Sequence, residues 1–202
     1  MSENGKSKLI LTSFGLNTSV GRSLIGKQFA EDPHIGEKKI FVFHEPYYSL
    51  QRMMEAALLQ MGFKKENIIF SGQQRMNKEL LERGVDVVYV GEGNVFEIMS
   101  LLRERDLVNT IQEIFRRGGT YVGTSAGAMI AGRSIEPGLD FERDFVGMDR
   151  YGYDGLGLYE GIIIPHYTKA ELKRYIKNSH GIEERYSSIL SVANSRVLVL
   201  EV

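Results

Sequence analysis

The feature that most restricts the fold of this chain is an alternation. Eight short runs of apolar, β-branched or aromatic residues recur along it, separated by stretches with helical spacing. The runs predict strands over 9–12, 40–44, 67–70, 85–90, 120–122, 161–164, 188–192 and 197–201. Several of them, such as KIFVF, VDVVYV and EGIIIP, are almost continuously apolar, the pattern of strands covered on both faces in a parallel sheet. Between them, apolar residues spaced three and four apart predict helices over 49–61, 95–103 and 107–117. Leu50, Met53, Met54, Ala57, Leu58 and Met61 form the stripe of the first, and Gly118-Gly119 stops the last. This order argues for a single α/β domain over 1–202, a mainly parallel sheet flanked by helices and joined by right-handed crossovers. In such sheets ligands sit beyond the carboxyl ends of the strands, so chemistry is expected on the strand-to-helix loops.

Composition sets the outer limits. A chain of 202 residues buries roughly 70% of the surface its unfolded form exposes and needs no staples. Its 25 basic and 26 acidic residues leave a net charge of −1, which gives no ground for a nucleic-acid or anionic-membrane partner. There is no cysteine, so disulfides, a thiol nucleophile and thiolate-held metals are excluded. The four histidines, His34, His44, His166 and His180, lack metal-ligand spacing, and no metal or other cofactor is expected. The opening MSENGKSKLI has no signal-peptide pattern and no run is long enough for a membrane helix, which makes the cytoplasm the expected location.

Three segments can carry chemistry. Gly123-Thr124-Ser125-Ala126-Gly127 lies between the strand at 120–122 and a helix opening at Ala126. It is G-x-S-x-G in strand–turn–helix context, the setting of a nucleophile elbow, and equally that of a tight turn with a serine cap. Gly91-Glu92-Gly93-Asn94 ends the strand at 85–90; such a loop either aims backbone N–H groups at an anion or lets Asn94 cap the next helix. Pro165-His166 ends the strand at 161–164, and Thr168 can cap the helix after it. A fourth loop, Gly15 to Ser23, looks like a phosphate loop, but G-x-x-x-x-G-K-[ST] needs its first glycine at Leu16 and its lysine at Arg22. The stretch 137–157, rich in Gly, Asp and aromatics, has the length of an active-site cover.

The order strand-Gly-x-Gly-Asn, Gly-Thr-Ser-Ala-Gly-Ala, then Pro-His resembles the peptidase E family of serine peptidases, best between Val85 and Tyr167. The family shares an α/β fold with class I glutamine amidotransferases. The resemblance implies that Ser125 is the nucleophile, His166 its base, and the N–H groups of Gly93 and Ala126 the oxyanion hole. It implies an acyl-enzyme mechanism on a short peptide or related amide. For the third triad member the resemblance points to Asp140, with Asp144, Asp149 and Asp154 as alternatives; the other position the family suggests reads Val192-Ala193-Asn194 and has no acid. Asn94, Glu92 and Arg185 are the expected substrate-binding residues.

Two departures from the family pattern bear on activity. Glu92 stands where the family has a glycine; a positive φ there strains it, and its carboxylate at the mouth of the site repels acidic substrates. Ile182 stands where the family's aspartate-recognising arginine is expected, so an aspartyl dipeptidase is not predicted. The chain also stops short of the family's longer members, so one or two edge strands are expected to be absent. The rival readings are a small-acyl esterase or amidase on the same elbow, a catalytically silent relative that binds a small ligand, and a phosphate-binding domain. A homodimer is the default assembly for an enzyme of this size.

Overall fold

The computed structural model describes residues 6–44, 50–72, 77–141, 152–179 and 181–202. Six strands form one sheet in the order β3-β2-β4-β5-β1-β8. They are β1 (Lys8–Thr12), β2 (Ile40–Phe43), β3 (Ile68–Phe70), β4 (Val87–Val90), β5 (Thr120–Thr124) and β8 (Val197–Glu201). All neighbours are parallel except β8, which runs antiparallel to β1 with Ile10 opposite Val199. The remaining strands, β6 (Ile162–Pro165) and β7 (Ile189–Val192), pair parallel in a separate two-stranded sheet. All eight predicted strands are present, but the single sheet is a division into two.

The continuous apolar runs are explained by cover on both faces. Ile10, Ile40, Val42, Tyr89 and Val122 pack against α1 (Ser19–Phe29) and α2 (Gln51–Gln60). Their neighbours Leu9, Leu11, Phe41, Phe43, Val88 and Tyr121 face the other way. There they meet α3 (Asn77–Glu82), α4 (Val95–Glu104), α5 (Leu107–Arg116) and α6 (Ala126–Ile130). The period-two alternation thus feeds two cores from one sheet. In α2 the stripe is narrower than the spacing predicts: Met54, Ala57 and Leu58 are buried, whereas Met53 is 44% exposed.

The small sheet is built the same way on a lesser scale. Ile163 and Val192 join the core over α6. Ile162 and Ile164 face outward beneath α7 (Lys169–Asn178) and α8 (Ile182–Arg185), against Leu172, Ile176 and Ile182. Thr168 and Glu171 close a reciprocal capping box at the start of α7. Among the described residues no helix is long and apolar enough to cross a membrane.

Candidate active site

The carboxyl ends of β1, β4, β5, β6 and β7 converge, and the predicted elbow stands at their centre. Ser125 follows β5 directly with φ 51° and ψ −113°, an unusual conformation for a residue with a side chain. The surroundings hold it there. Its N–H donates to the Thr12 carbonyl at 2.9 Å, and the Gly127 N–H donates to the Gly91 carbonyl at 3.1 Å. Beneath the turn the buried Tyr121 hydroxyl donates to the Gly127 carbonyl at 2.8 Å, and burial pushes this phenol well above its ordinary pKa, keeping it a donor. The motif's two glycines are required by close approach. A methyl group on Gly127 would overlap the Val90 carbonyl oxygen, and one on Gly123 the Gly127 carbonyl oxygen.

The small sheet supplies the partner. His166 follows β6 with φ 68°, and its backbone N–H donates to the Ser13 hydroxyl at 2.8 Å. That hydroxyl, fully buried, donates in turn to the Val192 carbonyl at 2.5 Å. One serine at the end of β1 therefore ties the ends of β6 and β7 to the main sheet. The imidazole that results lies with Nε2 2.9 Å from Ser125 Oγ. Phe14 meets its ring edge-on, the centroids 5.8 Å apart.

On the far side of the ring, Nδ1 lies 2.7 Å from Asn194 Oδ1. An amide oxygen only accepts, so Nδ1 carries the proton and Nε2 presents its lone pair to the serine. This is the tautomer a general base requires. Asp140 is not at this position. It ends a short 3-10 turn and accepts a hydrogen bond from the Tyr175 hydroxyl at 2.7 Å. Burial first, and then Asp140, raise the pKa of Tyr175. Asp154 forms an isolated bridge with Ser134 and takes Arg103 on its carbonyl, while Asp144 and Asp149 lie outside the described residues. Sequence reasoning passed over Asn194 because it sought a carboxylate. The available signal was a side-chain acceptor just beyond a strand end, at the position the family pattern already suggested.

The Gly91–Asn94 loop also differs from expectation. Glu92 does not have positive φ; Gly93 does, at 145°. The Glu92 carboxylate does not stand at the mouth of the site. Its oxygens accept from the Gly15 N–H and the Asn17 side-chain amide, each at 2.6 Å. The loop that looked like a phosphate loop therefore holds an anion belonging to the chain itself. Asn94 caps α4, accepting from the Phe96 and Glu97 N–H groups at 3.0 and 3.1 Å. Arg185 is drawn to Glu136, 3.1 Å away, in a neighbouring cavity that Asp140 also lines. None of the three expected substrate-binding side chains lines the cavity at Ser125.

That cavity, about 260 Å³, is lined by Gly93, Ser125, Ala126 and His166 together with apolar residues. Among the described residues, the Gly93 and Ala126 N–H groups have no internal acceptor, and both residues border the serine. The Gly127–Gly91 bond holds the two loops side by side. Of the stretch 137–157, Gly138 and Phe141 reach this cavity, and residues 142–151 lie outside the described part.

Comparison with known proteins places this arrangement in context. A model of peptidase family S51 matches residues 44–201. The chain is 28% identical over 167 residues to peptidase E of Haemophilus influenzae, covering 83% of this chain and 69% of that one. It is 32% identical over 114 residues to peptidase E of Escherichia coli, covering 56% and 47%. The match thus spans about half the length of the Escherichia coli relatives. A Listeria monocytogenes protein described as a peptidase E shares the fold at a TM-score of 0.66 and 20% identity, over 98% of this chain and 100% of that one. A peptidase from an acI-B1 actinobacterium does so at 0.64 and 20% identity, over 98% and 84%.

Proposed function

The chain belongs to peptidase family S51, and from that premise we propose that it is a serine hydrolase cleaving short peptides or related amides, with Ser125 as nucleophile, His166 as base and Asn194 orienting the imidazole. The carrying observation is the 2.9 Å approach of Ser125 Oγ to His166 Nε2 on a strained elbow. As Oγ bonds to the substrate carbonyl carbon, its proton passes to Nε2. The carbonyl oxygen gains the negative charge and turns to the Gly93 and Ala126 N–H groups, where one such donor is typically worth about 3–4 kcal/mol of barrier. Collapse breaks the carbon–nitrogen bond and Nε2 returns the proton to the departing amine. Water then attacks the acyl carbon, losing a proton to Nε2; collapse breaks the carbon–Oγ bond, Nε2 returns that proton to Oγ, and the acid leaves.

Asn194 can fix the ring and the tautomer but adds no charge to stabilise the imidazolium, so the proposed triad is one of orientation. The third position of such triads tolerates an amide on other folds. The rival reading, a silent relative, rests on Glu92 and on the missing third acid; the binding of Glu92 by Gly15 and Asn17 removes the first of these reasons. The test is labelling of the native protein with a fluorophosphonate. Labelling that both Ser125→Ala and His166→Ala abolish is expected; a folded protein that stays unlabelled contradicts the proposal.

A further inference from the structure

The cavity beside Ser125 carries information about the substrate that the catalytic groups do not. With a carbonyl carbon over Ser125 Oγ, its oxygen is directed to Gly93 and Ala126 and its leaving nitrogen to His166. The acyl substituent is left facing the remaining walls, which are Val95, Met129, Phe141, Pro165 and Tyr167. Val95 and Met129 are 2% and 4% exposed and stand in the first turns of α4 and α6, the helices that follow the two oxyanion loops. The chemistry and the wall are thus parts of the same two turns. Gly138 completes the lining because a methyl group there would press on Val95 and the Phe96 ring.

Among the described residues no lysine or arginine lines this space. The nearest candidate in sequence reasoning, Arg185, is engaged by Glu136 in the next cavity. A carboxylate placed among these walls would lose its hydration and gain no cation. An alkyl or aryl group would lose nothing and bury its surface. The volume of about 260 Å³ lies just under the range of about 300–1,000 Å³ usual for small-molecule sites, enough for one medium side chain and too little for several residues. Phe141 stacks on Tyr175 and meets Tyr167 edge-on, so the outer wall is a small aromatic cluster.

Resting on the hydrolase reading, we infer that this cavity selects an uncharged apolar group of leucine, methionine or phenylalanine size on the acyl side of the scissile bond, and rejects an acidic one. The test compares p-nitrophenyl butyrate, hexanoate and 3-phenylpropionate with the hemisuccinate. Each buried methylene is expected to add about fourfold to kcat/KM, equivalent to about 0.8 kcal/mol, so hexanoate should exceed butyrate by at least tenfold. Hexanoate should exceed hemisuccinate by a larger factor. Phe141→Arg, at a residue already 40% exposed, should lower the hexanoate-to-hemisuccinate ratio at least tenfold while leaving the fold intact. Equal or preferential hydrolysis of the hemisuccinate by the unmodified protein overturns the inference.

A second measurement separates this inference from the reading beneath it. In Ser125→Ala, 3-phenylpropionamide should shift the Met129 methyl resonance in NMR spectra and succinamate should not. That result in a protein that hydrolyses none of the esters keeps the pocket assignment and refutes the hydrolase. Equal shifts with the two amides refute the pocket assignment.

Discussion

The proposed nucleophile and its proposed base come from two differently built regions. Ser125 stands on the six-stranded sheet, over a turn whose backbone is held by Thr12, Gly91 and the buried Tyr121 hydroxyl. His166 and Asn194 are exposed and project from the end of the two-stranded sheet and from the turn after β7, tied to the main sheet through Ser13. In the first region geometry is dictated by close packing of the backbone, so a change that crowds that backbone disturbs the fold as well as the chemistry. In the second it is dictated by a few hydrogen bonds near water, so chemistry can be lost while the fold persists. The same contrast separates the roles. The buried region strains a serine into place, and the exposed one places the imidazole that the proposed mechanism needs for exchanging protons with substrate and water.

The sharpest way to separate the regions is to remove one side chain from each. Ser125→Ala should lower kcat by a factor on the order of 10⁶ with little change in the unfolding midpoint, because only a hydroxyl is lost. Gly127→Ala, two residues on, should instead fail in stability. Its methyl group meets backbone carbonyls that cannot move aside, and a loss of about 3 kcal/mol is expected from chemical denaturation. Asn194→Ala should leave the unfolding midpoint unchanged and lower kcat by about 10²-fold, the cost of a misoriented base. Ser13→Ala sits on the seam between the regions. It leaves the His166 N–H without its buried partner, and about 1–3 kcal/mol of stability should go together with a fall in kcat.

The smallest effect concerns pH. Burial holds the pKa of His44 below its ordinary 6.5, against a smaller opposing pull from Glu92. The unfolded chain therefore binds this proton more readily than the folded one. The stability linked to His44 is full above pH 6.5 and is lost as the pH falls toward the lowered folded value. Thermal melts of the unmodified protein should drop more steeply below that pH than those of His44→Gln. Parallel curves would show that His44 carries no such linkage.

The contrast also marks how far the sequence could be read. The main sheet announced itself because strands buried on both faces leave unbroken apolar runs, and G-x-S-x-G in a strand–turn–helix context drew attention to Ser125. The division into two sheets left no such trace, since EGIIIP looks the same in a small sheet over α6 as in a large one. Asp140 seemed suited to the triad by its place in the chain, but its partner is Tyr175 on α7, a contact only the folded chain creates. Glu92 seemed to threaten the oxyanion loop because its destination, the Gly15–Asn17 loop, is distant in sequence. Roles fixed by local backbone geometry were legible, and of the long-range side-chain pairings only that of Ser125 with His166 was, through the family resemblance.

The measurement that bears most directly on the account is the fluorophosphonate labelling rate of Asn194→Ala beside that of Asp140→Ala, each verified as folded. Labelling slowed by about 10²-fold in Asn194→Ala and unchanged in Asp140→Ala is the predicted result. The reverse order would contradict the placement of Asn194 behind His166 and return that role to the carboxylate.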